Sequence, residues 1–562
     1  NVAIGNEALR LTNTGGSNVG VGRESGYSGT THSGSVYLGE QAGYSVTTGN
    51  QNIAIGHNAI NGGTTTGDNN IAIGVDAGDN LTSGYDNVLV GEDAGGTINT
   101  GYKNTVFGSN AGASITDALQ NTFVGQITGQ NSTIGRYNTA VGAAALNKED
   151  VGNGSVALGY AALYTQNSDS NNEETGNTGI GYEAAFYNVT GTNNTWVGFK
   201  AGLGASVASG QSNSNNTGVG ANVLTAVTTG GYNTAVGYQS GIAITSGNSN
   251  VLLGRGTGVA MTTQDEMVLI GNDAGAAINH DDADGTVAIG YGAGAALTSG
   301  QYNVAVGAYA LDAEGSEVAQ NMTTGKENTA IGMGALNDSQ AASGSVIIGQ
   351  NAGRNISTGN NNIAIGLDAM NGGTTTGDNN IAIGVSAGDA LTSGKQNVLM
   401  GKDAGGAINS GYLNTAIGHE AGKAITTGIA NTIIGWQAGL ALQTGHNNVF
   451  IGREAGKGVT VTVQNVIAIG HGAATGVMGT GANYAIAIGY SALAALTSGA
   501  NNVAVGGNAL KANNTGHENT AVGRNVLDAN VDGAGNTAMG ESSLTANVSG
   551  DNNTAVGANS LG

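Results

Sequence analysis

Polar and apolar positions alternate in a five-residue phrase that returns every 17 residues from Asn1 to Gly557: Asn, a β-branched residue, a small or apolar residue, an aliphatic residue, then Gly. There are 32 copies, and 23 of the 31 intervals between them are 17 residues, the others being longer. A fixed period that tolerates insertion but not deletion marks a stacked repeat in which each copy is one structural unit. The coil opening at Asn414, NTAIGHEAGKAITTGIA, predicts one strand over its first five residues and a second over AITTG. Turns are expected at Gly418, at 420–422 and at Gly428. Helical spacing is absent. The expected fold is an all-β parallel β-solenoid, a β-roll running as one continuous domain over 1–562. Enlarged coils fall at 155–176, 194–215, 267–285, 303–327 and 466–484. A block covering 18–137 returns as 328–447 at an offset of 310 residues.

Position 2 of the phrase is Val, Ile or Thr in every copy, and position 4 is Val, Ile, Leu, Met or Phe. These two share one face of a strand. Position 3 points the other way and is never charged: it is usually Ala or Gly, and otherwise a larger apolar residue such as Tyr37, Phe123, Trp196, Ile433 or Phe450. A strand apolar on both faces is normally covered on both. One face must line the coil, and the other needs a second layer or a neighbouring chain, so Tyr37, Phe123, Trp196, Ile433 and Phe450 are candidates for packing between chains or against a second layer. A thin coil also buries little for the chain it orders, which favours self-association. Position 1 is Asn in 25 copies, and stacking predicts an Asn ladder. At about 4.8 Å per coil the stack would be a rod roughly 150 Å long.

Composition sharpens this picture. The 562 residues include 102 Gly and no Pro, as expected of tight turns joined to strands that must all donate to a ladder. A formal charge of −22 with only 16 Lys and Arg argues against nucleic-acid and anionic-membrane partners. Without Cys there are neither disulfides nor thiolate metal sites. No apolar run approaches the length of a membrane span. The pattern starts and stops without a polar capping unit, so the chain reads as part of a larger protein or as a unit whose ends join neighbours.

The phrases NTAVG, NIAIG and SVALG, each followed by a two-residue polar step and Ala, resemble the head repeat of trimeric autotransporter adhesins, the YadA-like family. Similar repeats occur in bacteriophage tail fibres. The resemblance implies a left-handed β-roll, three chains side by side as a homotrimer, and display at a cell surface, outside a cell or on a virion for attachment. The 17-residue coil is longer than the usual adhesin-head unit.

Catalytic and metal chemistry find little purchase. His57, His419 and His471 share position 6 but lie in separate coils, and the seven His read as solvent-facing. The strings GHEAGK from Gly418 and GREAGK from Gly452 imitate a phosphate loop, yet are one residue short and lack the following Ser or Thr. Asp281, Asp282 and Asp284 resemble half of a calcium loop without the downstream Glu. Neither a catalytic set, a metal site nor a cofactor is expected. Gly5, Gly56, Gly125, Gly237, Gly418 and Gly557 read as structural turn glycines. Tyr160, Tyr182, Phe199, Tyr238, Trp436 and Tyr490, all at position 6, are candidates for surface binding, for instance by stacking on the sugars of a receptor glycan. The insertions at 164–174, 204–215 and 312–322 fall in the second half of their coils, where binding loops would emerge on one side.

The sequence therefore points to a non-enzymatic extracellular fibre or adhesin shaft that contacts itself and a surface receptor. A structural filament stacked end to end is the alternative. A third reading, an ice-binding solenoid, rests on Thr rows such as Thr47, Thr426 and Thr427.

Overall fold

A computed structural model describes residues 1–206, 211–312, 324–460 and 462–562. The fold is a parallel β-solenoid of about 32 coils, and its coils fall into two compact units, Asn1–Asp284 and Gly285–Gly562. The first unit carries the strands from Val2–Ile4 to Val268–Ile270, the second those from Val287–Ile289 to Thr554–Val556. Every strand is three residues long, and within each unit it pairs in parallel with the equivalent strand of the neighbouring coil, position on position: Thr415↔Thr432, Ala416↔Ile433, Ile417↔Ile434. Among the described residues the only helical pieces are single 3-10 turns at Asp281–Ala283 and Thr480–Ala482.

The expected second strand does not form. In the coil from Asn414, Thr426 and Thr427 lie in bends, and only an isolated bridge, Ile429↔His446, follows. Coil-to-coil hydrogen bonding nevertheless continues, since Thr426 N–H donates to Gln443 O at 2.9 Å and the Thr426 hydroxyl donates to the same carbonyl at 3.3 Å. The backbone is satisfied without extended geometry. The turn after each strand uses left-handed residues beyond glycine: Glu420 (φ 56°) and Gly422 (φ 56°) bracket Ala421, and Ala430 (φ 56°) precedes the next Asn.

The strand's two faces are assigned opposite to the expectation for its large residues. Position 3 points into the coil: Tyr37, Phe123, Trp196, Ile433 and Phe450 are all 0% exposed within their own chain. They are therefore core residues and cannot pack between chains. A strand of three residues sends one side chain inward and two outward, so the single inward position fills a narrow interior completed by positions 8 and 12, here Ala421 and Ile425. Bulk is balanced coil against coil. Tyr37 pairs with Gly20 and Ala54, and Trp196 with Gly179 and Gly218. Positions 2 and 4 face outward instead, and several are well exposed, among them Phe107, Leu158 and Met400.

The Asn ladder is present and does more than align side chains. Asn104 Nδ2 donates to Asn87 Oδ1 (3.1 Å) and to Ala118 O in its own coil (2.9 Å), while its Oδ1 accepts from Asn121 N–H and Nδ2, both at 3.1 Å. One buried amide thus closes its coil and ties it to both neighbours. Replacing Asn104 with Ala strands the Ala118 carbonyl and the Asn121 N–H, and we expect a loss of about 2 kcal/mol, read by denaturant unfolding. Asn104→Ser should recover part of it, because Ser35 already stands at this position and its Oγ accepts from Asn52 N–H at 3.1 Å.

Candidate functional surface

The position-6 aromatics are exposed, as their place just outside the turn requires, from 41% for Trp436 to 57% for Tyr490. They are not equivalent. Tyr160 stacks on Tyr182 (5.2 Å, 18°) and Tyr182 on Phe199 (5.5 Å, 13°), because coil spacing is close to aromatic stacking distance. Their faces cover one another, and Lys200 Nζ lies 5.5 Å from the Phe199 ring centroid, so edges and the Tyr hydroxyls are what this ladder presents. Trp436 has Arg453 and Lys457 over its ring at 5.0 and 5.4 Å. Tyr490 is tilted against His471 at 5.5 Å. Of the six, Tyr238 carries no such ring contact among the described residues.

The turn glycines Gly5, Gly56, Gly125, Gly237, Gly418 and Gly557 all have φ between 121° and 137° and belong to the scaffold. The phosphate-loop imitations are ion-paired turns: Lys423 Nζ lies 2.8 Å from Glu420 Oε1 and 3.3 Å from Asp403 Oδ2, and Lys457 lies 2.9 Å from Glu454. The Lys423 hydrogen bond, with a second from Gln437, holds the Glu420 carboxyl down at about 2. Its charge is matched inside the chain.

His57, His419 and His471 remain in separate coils. His32 departs from the solvent-facing reading: it is fully buried, 5.5 Å from the Tyr37 ring, and desolvation lowers its pKa from the ordinary 6.5. It fills the interior as an apolar-sized ring. Asp281 and Asp282 sit on the exposed 3-10 turn, and Asp284 Oδ1 accepts from Asp265 N–H at 2.9 Å. Among the described residues no group of three or more His, Asp or Glu is placed to hold a metal. Residues 207–210 and 313–322 of the expected insertions lie outside the described residues. The hydroxyls of Thr47 and Thr426 donate to Thr65 O and Gln443 O, so their hydrogens are used within the stack rather than presented as a free array.

One feature escaped the sequence reading. Position 12 is aliphatic in about half of the coils, as at Ile98, Ile115 and Ile244, but in four successive coils it becomes Ser132, Glu149, Gln166 and Asn188, all buried, as it does again at Ser339, Asn513 and Asn530. Glu149 Oε1 accepts from Gly152 N–H (2.7 Å) and the Ser168 hydroxyl (2.9 Å), and its Oε2 from Gln166 Nε2 (2.7 Å). A carboxylate this deep is tolerable because several donors converge on it. It ties the start of the enlarged coil at 155–176 to the coil before. The polar run at position 12 was the available signal.

On the surface above this run lies an open groove of about 470 Å³, lined by Ser114, Asn131, Thr133, Lys148, Asp150, Thr165, Asn167 and Val189. These residues occupy positions 11 and 13 of successive coils. No helix among the described residues is long and apolar enough to cross a membrane. No protein-family model matches the chain, and comparison with curated proteins finds no match.

Proposed function

We propose that the chain is a non-enzymatic extracellular shaft of a fibre or adhesin, whose copies associate side by side, three together, and hold an attachment function away from a cell or virion surface. The outward strand face supports this reading. Positions 2 and 4 repeat Val, Ile, Thr and Leu coil after coil, and Phe107, Leu158, Val236, Ile331, Met400 and Met539 are each at least 38% exposed. Within each unit, such a recurrent apolar strip on the sheet is a surface that self-association covers. Completing the burial of each half-exposed aliphatic is worth about 1 kcal/mol, and the repeat multiplies it. Association falls to this face because position 3 is already buried.

The test is mass in solution. Light scattering should give three times the chain mass of 54.9 kDa, and the variant Phe107→Lys with Leu158→Lys should shift it towards the single chain. A wild-type chain that remains monomeric at high concentration overturns the proposal.

A further inference from the structure

We propose that the groove over positions 11 and 13 of the coils between Ser114 and Val189 binds an uncharged oligosaccharide lying along the stack, one sugar ring per coil. This rests on the attachment reading and names its ligand class.

The groove's chemistry comes first. It presents two primary amides (Asn131, Asn167), three hydroxyls (Ser114, Thr133, Thr165), a carboxylate (Asp150) and an ammonium (Lys148) in a space of about 470 Å³, within the range of ligand sites. Amides and hydroxyls both donate and accept, which is what adjacent sugar hydroxyls require. The Asn131 and Asn167 amides have no hydrogen-bond partner within the described chain. Thr133 donates to Asp150 and Thr165 to Phe186 O, so both hydroxyl oxygens keep acceptor lone pairs. Beside it, Tyr164 and Phe186 stack at 4.8 Å and Lys148 Nζ lies 6.0 Å from the Tyr164 ring.

The backbone excludes the main competitor. Ser114, Asn131, Thr133, Lys148, Thr165 and Asn167 each donate their N–H to a carbonyl of the next coil, so a peptide finds no strand edge to extend. Recognition falls to side chains. The rise of about 4.8 Å per coil is close to the advance of one pyranose ring in an extended β-linked chain, so equivalent contacts recur in register. The chain's charge of −22 disfavours an acidic glycan.

The internal duplication shows that the scaffold does not need this polarity. At the offset of 310 residues, Ser114 corresponds to Ala424 and Asn131 to Ala441, in coils with the same strands and the same Asn ladder. At Ser114 and Asn131 the coil therefore stacks equally with Ala, while Thr133 corresponds to the polar Gln443.

The experiment titrates cellotetraose and chitotetraose into the full chain by calorimetry, with tetragalacturonate as the acidic contrast. At least one neutral tetramer should bind, and Ser114→Ala with Asn131→Ala and Asn167→Ala should weaken it about tenfold by removing three hydrogen-bonding groups. Mass by light scattering should not change. Failure of both neutral tetramers to bind, preference for the acidic one, or binding that survives the triple variant each overturns the proposal. The self-association test is read separately, so a chain that associates but binds no sugar sinks only this inference.

Discussion

Replacing Trp196 with Ala should cost 3 to 5 kcal/mol, roughly the range for removing a large buried aromatic, and open the coils on either side of it. The indole is 0% exposed and is the largest buried side chain in the chain. The neighbouring coils are shaped around it. Gly179 and Gly218 hold the paired positions, and a Cβ placed on Gly218 would sit 2.6 Å from Trp196 Cζ3. With glycine at both paired positions, filling the void falls to side chains beside those glycines, Leu163 at Gly179 and Val223 at Gly218, so relaxation is partial. In a stacked repeat each coil contacts its neighbours, so the loss is local. Hydrogen exchange should accelerate at the strands Thr178–Ile180, Thr195–Val197 and Thr217–Val219 and stay unchanged in distant coils. Trp196→Phe separates packing from polarity. The indole Nε1–H is buried without a partner, a penalty of about 1 to 3 kcal/mol that Phe removes, so Phe should lose well under half of what Ala loses. Equal losses for Phe and Ala would refute this account of the site.

The same residues show how far the fold could be read from the pattern. The period, the parallel stacking and the Asn ladder were legible because each requires a particular residue type at every turn. Which strand face lies inside was not, because positions 3 and 4 are apolar and position 2 is β-branched throughout, so alternation alone cannot orient the strand. The discriminating sign is variance in size. Gly179, Trp196 and Gly218 trade volume along an enclosed row, whereas positions 2 and 4 stay uniform because nothing confines them. The AITTG segment looked like a strand because Ile and Thr favour extended backbone, but Ile425 serves as an inward plug between bends. Left-handed backbone at Glu420, Leu146 and even Ile60 carries no local sequence signature, since non-glycine residues adopt it only where stacking over-determines the turn. Of the candidate surface, exposure of the position-6 aromatics was legible; their mutual stacking was not, because it depends on which adjacent coils happen to carry rings. The groove was hidden for a related reason. Polar residues at positions 11 and 13 are ordinary on a surface, and the buried polar run at position 12 recurs at Asn513 and Asn530, so it does not by itself single these coils out.

The turn glycine gives the second large effect. Gly418→Ala should cost about 4 kcal/mol, because two penalties coincide. The φ of 132° is a conformation an L side chain resists, at roughly 2 kcal/mol. The new Cβ would also lie 2.5 Å from Gly435 O in the next coil, against backbone that cannot rotate away. Relieving that collision means parting the coils and weakening the bonds from Gly418 N–H to Met400 O (2.7 Å) and from Gly435 N–H to Ile417 O (2.8 Å), at about 1 kcal/mol each. Gly154, inside the stack, is the internal control. Its φ is also positive, 74°, but nothing lies within 4 Å of its absent Cβ. Gly154→Ala should therefore show a conformational penalty alone, and the difference between the two variants measures how tightly one coil is seated on the next. If both substitutions cost the same in denaturant unfolding, the glycine is required by its own dihedral angles and the close approach of the coils contributes nothing.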